Sequence, residues 1–340
     1  MSHRSGRGLT LVVTVLLPVV VLTLLWSQAN TTASQLPVGM CEASPQIPPL
    51  SPKWTSVPYG TAADQVPAMP DQFTSKFKVV PQHLLSQLRS IAEITEAQQK
   101  VGVVIEVGSN AVPDFQDVLT DYPFDQFLVA FEPVVFQKTA AFCRVKGKGR
   151  CQVVPFAVAP TNGVTAMAVT NQTKCSSLLA PKAGTHRCHK VSKKILVPTV
   201  RMDDFLRYTI RPSVPIRLLA IDAQGYDLHV ASSLADLDQR SRVANIMLEC
   251  QDLDINDPKL LTQNASTCGM AADCIRRHWP GFELDGCWPN FAEREMNCGW
   301  SNLNHPLHDR TTRHPFNALR QAQRIEHPAV CPQWFIQERA

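Results

Sequence analysis

Val104-Ile105-Glu106-Val107-Gly108-Ser109-Asn110 is the stretch that decides how this chain folds. It is an apolar, β-branched run that ends in an acid and then a glycine. A run with no polar alternation suits a strand covered on both faces, as in a parallel sheet. In such sheets ligands sit beyond the carboxyl ends of the strands, where a glycine lets backbone approach closely. An ordinary strand-to-helix turn has the same pattern, so the stretch needs support from its surroundings.

Further apolar runs follow at 127–131, 152–158, 164–169, 216–222 and 244–249. Those at 127–131, 216–222 and 244–249 are continuously apolar like the first. They predict an α/β fold with a doubly wound, mostly parallel sheet. Pro160-Thr161-Asn162-Gly163 predicts a hairpin turn, because Asn-Gly suits the positive φ of tight turns. Residues 200–206 read as a strand edge entering a short helix. Leu84, Leu85, Leu88, Ile91 and Ile94 recur at helical spacing behind Pro81 and predict an amphipathic helix that opens the domain.

The second run ends Ala130-Phe131-Glu132-Pro133, with Glu132 26 positions after Glu106. A carboxylate about 20 residues beyond a glycine turn, at the end of the second strand, accepts hydrogen bonds from ribose hydroxyls. The chain has no Gly-x-Gly-x-x-Gly, so a pyrophosphate site is disfavoured. A ligand with ribose and no phosphate fits better.

The N-terminus carries a different signal. Residues 9–26 are apolar apart from Thr10, Thr14 and Thr23, carry no charge, and include Pro18. Eighteen helical residues span about 27 Å, close to the hydrocarbon thickness of an early secretory membrane. Arg4 and Arg7 precede the run, and the next basic residue is Lys53, which places residues 1–8 in the cytosol and the remainder in the lumen. A cleaved signal peptide ending near Ser27-Gln28-Ala29 would deliver the same domain to the same compartment. All eleven cysteines lie after the run, as expected where disulfides persist. So do three sequons, at Asn30, Asn171 and Asn264.

The expected layout is a cytosolic tail (1–8), a transmembrane signal anchor (9–26), a Pro/Ser-rich stem (27–80), a catalytic domain (81–255) and a Cys-rich C-terminal extension (256–340). Length allows one sizeable domain plus appendages. The net charge of +4 is spread along the chain, so no nucleic-acid partner is expected.

Four segments occur in an order that resembles the FkbM-type methyltransferase family. They are Ile105-Glu106-Val107-Gly108-Ser109-Asn110, Ala130-Phe131-Glu132-Pro133, Val197-Pro198-Thr199-Val200-Arg201-Met202-Asp203-Asp204-Phe205-Leu206 and Leu219-Ala220-Ile221-Asp222-Ala223-Gln224-Gly225-Tyr226-Asp227-Leu228. They lie within 101–249, under half the chain. The resemblance implies a class I methyltransferase sandwich with S-adenosylmethionine across the carboxyl ends of the first strands. Glu106, Gly108 and Asn110 would line its amino-acid end, and Glu132 would hold the ribose. Ser177, in Ser176-Ser177-Leu178, and Glu249 also match family positions. The chain departs from the family at Val112, where a glycine is usual, at Ala220, where a lysine is usual, and at Gln224, where a glutamate is usual.

Methyl transfer to a hydroxyl needs alignment and a base. Asp222 is the candidate base, with capping of the next helix as its alternative role. His229 is a second candidate, with a packed or surface histidine as the alternative. No metal site is expected: Cys188 in His186-Arg187-Cys188-His189 reads as a disulfide half, partnered by Cys175. The Asp-x-Asp triplets at Asp236 and Asp252 read as solvated faces rather than a glycosyltransferase's metal ligands. Further bridges are expected at Cys287–Cys298 and Cys143–Cys151, with Cys250 as the free thiol.

The expected activity is O-methylation of a hydroxyl on a glycan or glycolipid, by a single-pass type II protein of the Golgi or endoplasmic reticulum membrane. The alternatives are a lumenal glycosyltransferase and a non-catalytic binding protein on a degenerate methyltransferase fold.

Overall fold

The computed structural model describes residues 102–119, 126–179, 190–253, 265–289 and 295–307. The anchor, the stem, the helix expected behind Pro81 and the His186–His189 cluster lie outside them. Among the described residues no helix is long and apolar enough to cross a membrane.

Seven strands form the main sheet: β1 (Val103–Val107), β2 (Phe127–Phe131), β3 (Cys151–Val154), β7 (Ile216–Ile221), β8 (Asn245–Gln251), β9 (Phe282–Pro289) and β10 (Glu295–Asn302). Their order is β3-β2-β1-β7-β8-β10-β9. The first five are parallel, and β10 runs antiparallel to both β8 and β9. The protein is therefore mixed α/β with a mostly parallel central sheet, as the continuous apolar runs predict. Every residue of β1 and β2 is buried, which requires cover on both faces.

That cover is visible in the packing. One face, with Val104, Leu128, Leu218 and Met247, packs against Phe115, Val118 and Leu119 of the segment after β1. On the other, Phe205 meets Phe131 edge to face at 4.7 Å. Phe205 belongs to α2 (Met202–Thr209), which follows β6 (Val191–Val200), the strand-to-helix junction that residues 200–206 predict. Truncating so buried a ring costs about 3–5 kcal/mol.

The remaining helices are α1 (Phe136–Lys146), α3 (Asp227–Ser232), α4 (Leu237–Ser241) and α5 (Cys268–His278). A second sheet has the order β4-β6-β5, from β4 (Ala157–Val158), β6 and β5 (Gly163–Thr170). Here the structure corrects the hairpin expected at Asn162-Gly163. β4 and β5 do not pair with each other; both pair with β6, β4 in parallel and β5 antiparallel. Asn162 instead spends its side chain on tertiary contacts, donating to Asp204 Oδ2 at 2.6 Å and accepting from the Arg201 amide at 2.7 Å. The run at 152–158 is likewise divided, because β3 enters one sheet and β4 the other.

Two expected disulfides are present, Cys143–Cys151 and Cys287–Cys298. Cys175 is disulfide-bonded, and Cys188, its expected partner, lies outside the described residues. Cys250 is not free: it is bonded to Cys268, with Cα atoms 4.9 Å apart. The physical reason is tertiary, since the start of α5 returns to the end of β8, where the Gln251 amide donates to the Ser266 carbonyl at 3.1 Å. α5, β9 and β10 fall in the stretch expected to be an extension, and β10 and β9 supply one edge of the main sheet.

Candidate active site at the carboxyl edge of the sheet

From β1 the chain moves outward through β2 and β3 on one side and through β7 and β8 on the other. The switch between these directions opens a crevice at the carboxyl ends of β1 and β7, where doubly wound sheets bind ligands. Val107 pairs with Phe131 and with Ile221, and Ile221 pairs with Leu248. The next residues along, Glu132, Gly108, Asp222 and Glu249, therefore form one row across β2, β1, β7 and β8, about 4.8 Å apart per strand.

Gly108 holds the centre of that row. It has φ 88°, and a Cβ there would sit 1.8 Å from the Asp222 carbonyl oxygen. Only glycine permits both that conformation and that approach. Asn110 has φ 53°; its carbonyl accepts from the Thr139 hydroxyl, and its Oδ1 accepts from Thr173 Oγ1 at 3.3 Å. Ser109 is buried, and its hydroxyl has no partner among the described residues.

The two acids on the β1–β2 side are held by backbone. Glu106 accepts from the Asp114 amide at 2.8 Å through Oε1 and from the Phe115 amide at 3.2 Å through Oε2. Glu132 Oε1 accepts from Val134 at 2.6 Å and Val135 at 2.9 Å, and the Asn110 amide also donates to this carboxylate. Glu132 thus neutralises amides at the start of α1, as an acid at a helix N-terminus does. Burial nevertheless pushes both carboxyls upward, Glu106 well above the usual range and with a further push from Asp114.

On the β7–β8 side the arrangement differs. Asp222 Oδ1 accepts from Gln224 Nε2 at 2.7 Å, and the same nitrogen donates to Glu249 Oε2 at 2.9 Å. Burial and then Asp222 push Glu249 well above the carboxylate range. Asp227, fully buried, accepts from the Ala223 amide at 3.1 Å and the Gly225 amide at 3.0 Å, which pins the turn that carries Gln224. Burial, then Asp222, also raises Asp227 well above its usual range. Asp114, exposed at the rim, is pushed up to about 6 by desolvation and then by Asp222. Asp222 does not cap α3: Tyr226 occupies the cap position without a side-chain bond.

Ser177 reaches this edge from the second sheet's side, its hydroxyl donating to the Ala223 carbonyl at 3.4 Å and accepting from the Leu179 amide at 3.1 Å. His229 is half-buried on α3 with its ring stacked on Tyr226 at 4.4 Å, and burial lowers its pKa. Asp236 caps α4 by accepting from the Asp238 amide at 2.9 Å and pairs with Arg207 at 2.5 Å. Those bonds account for the first Asp-x-Asp triplet.

Beside Glu249 lies a small cleft of about 10 Å³, lined by Gln224, Gly225, Glu249, Gln251, Ser266 and Glu295 among others. The sequence offers Gln224 only as a departure and leaves Asp114, Asp227 and Glu295 unassigned. For Asp227 a signal exists, an acid two residues after the turn glycine Gly225. Asp114 and Glu295 have none, because loop and antiparallel-strand geometry bring them in.

No protein-family model matches the chain, and no curated protein matches it. A solved structure to which it is similar is the mitomycin 7-O-methyltransferase MmcR, at 12% identity and a TM-score of 0.33. The similarity covers 62% of this chain and 54% of that one, so the chain spans about half the length of the solved protein it matches.

Proposed function

We propose that the protein is an S-adenosylmethionine-dependent O-methyltransferase with the FkbM-like fold that its motifs resemble. The observation that carries this reading is the row Glu132, Gly108, Asp222 and Glu249 at the switch point of a mostly parallel sheet. The seven-strand order with one reversed strand fits a methyltransferase-like fold. The residues present also fit the cofactor: a buried carboxylate ends β2, a close-approach glycine ends β1, and Ser109 offers a buried hydroxyl without a partner among the described residues. Glu132 would hold the ribose, and the turn at Gly108, Ser109 and Asn110 the amino-acid end.

Bound S-adenosylmethionine supplies an electrophilic methyl group on a sulfonium. The chain's own task is to align the acceptor and to take its hydroxyl proton. Asp222, half-buried at the centre of the row, receives that proton as the hydroxyl oxygen gains the methyl. Gly108 keeps the β1 turn against the β7 end, and Asp227 fixes the turn that frames the base.

The acceptor class we propose is a hydroxyl of a glycan or glycolipid, with the protein anchored by residues 9–26 in the Golgi or endoplasmic reticulum membrane and its domain lumenal. That placement rests on the apolar run, the basic residues before it and the positions of the cysteines. Calorimetry of the purified chain tests the cofactor: S-adenosylmethionine binds and sugar nucleotides do not. Sugar-nucleotide binding alone would replace this reading with a glycosyltransferase. Mass spectrometry of glycans from cells with and without the gene tests the acceptor through loss of a methyl mass increment.

A further inference from the structure

The two carboxyls on the β7–β8 side are joined in a way that the base assignment alone does not use. Asp222 and Glu249 are neighbours on adjacent strand ends, and both lie within hydrogen-bond reach of the same Gln224 nitrogen. Two ionised carboxylates held this close repel, so the site favours a proton on one of them. Gln224 Nε2 spans the pair, with one N–H for each acid, at 2.7 and 2.9 Å. An amide facing two carboxyl oxygens presents its nitrogen, which carries two donors. To reach this place Gln224 adopts φ 53°, a conformation uncommon for residues other than glycine, asparagine and aspartate. Gln224 and Glu249 line the cleft, with Gly225 beside them.

We propose that Gln224 is a positioning residue that clamps Asp222 and Glu249 into one pair holding a single proton. The inference rests on the methyltransferase reading for its purpose and on the placement of Gln224 between two neighbouring acids for its content. One proton on the pair leaves one carboxylate free to accept the acceptor's hydroxyl proton. The neutral carboxyl keeps an O–H with which to orient an oxygen in the cleft.

The acidic surroundings favour a proton on the pair. The groups near the pair are Glu106 of β1, Asp114 of the following loop, Asp227 of α3 and Glu295 of β10, all acidic; Lys174, after β5, acts on Asp114. The two N–H groups of Gln224 oppose that crowd, because donors to a carboxylate favour its ionised form. The pair is then expected to release its protons in two separated steps.

Carboxyl-labelled nuclear magnetic resonance of the purified chain reads this directly. In the wild type the Glu249 carboxyl titrates well above the usual carboxylate range, and its signal is identified by its loss in Glu249→Gln. Gln224→Gly suits the positive φ and removes the bridge, so the upper step moves to higher pH by about one unit or more. Gln224→Glu adds a third acid and moves it further in the same direction. An upper step unchanged in both Gln224 variants would overturn the proposal, as would ordinary carboxylate titration of Glu249 in the wild type. Calorimetry with S-adenosylmethionine separates the two claims. Failure to bind, with the split titration intact, sinks the methyltransferase reading and leaves the clamp. Normal binding with ordinary titration sinks the clamp alone.

Discussion

The β1–β2 half and the β7–β8 half of the crevice carry similar acids and treat them differently. Glu106 and Glu132 accept from backbone amides of Asp114, Phe115, Val134 and Val135. Asp222 and Glu249 share one side-chain amide, that of Gln224. Backbone amides are fixed by the fold, so the first pair holds loops and a helix start in place. A side-chain amide can be changed without changing the fold, so the second pair can be tuned. The difference teaches that acids at neighbouring strand ends need not share a task. One half shapes the crevice, and the other, on the proposed reading, moves a proton.

The largest expected effect tests that division on its chemical side. Asp222→Asn is expected to lower methyl transfer to any accepted hydroxyl by about 100-fold or more, the scale of a lost general base. Affinity for S-adenosylmethionine should hold. Wild-type turnover in this variant would merge the two halves, leaving no proton-transfer side.

Glu106→Gln probes the other half. An amide can accept one of the two backbone N–H groups but sets its own N–H against the other, so about 1–3 kcal/mol of stability is expected to be lost. A denaturant midpoint equal to the wild type would show that the loop after β1 does not depend on Glu106.

Glu132→Ala sharpens the comparison, because Glu132 has backbone partners and is also the ribose candidate. Loss of a charged acceptor is expected to weaken S-adenosylmethionine binding about tenfold or more, the equivalent of at least 1.5 kcal/mol. A folded variant with unchanged affinity would assign Glu132 to the start of α1 alone.

The smallest effect is collective. Glu106, Glu132, Asp227 and Glu249 are all raised by burial, and Asp114 to about 6. Between about pH 4 and pH 6 the folded chain keeps protons that the unfolded chain has released. Stability therefore falls as pH rises through that window. The melting temperature is expected to be higher near pH 5 than near pH 7. A melting temperature that rises over that interval would mean that the acids are ionised and paired in the folded state.

Much of the frame was legible from residues alone. Continuous burial of β1, β2 and β8, and burial of β7 at every residue but Arg217, follows from runs without polar alternation, since a strand covered on both faces has no solvent side to mark. Glu106, Gly108, Glu132 and Asp222 stand at strand ends because each follows or ends such a run. Cys143–Cys151 and Cys287–Cys298 close over short separations and follow from spacing. Tertiary structure alone decided the rest, and the reason is the same each time: contacts between residues far apart in sequence leave no local period. Asn162-Gly163 has the composition of a hairpin turn, yet β6 captures both flanking strands. Cys250 looks like a buried free thiol until α5 returns Cys268 to the end of β8. Gln224 reads as a departure from a motif until Glu249, 25 residues further on, arrives beside Asp222.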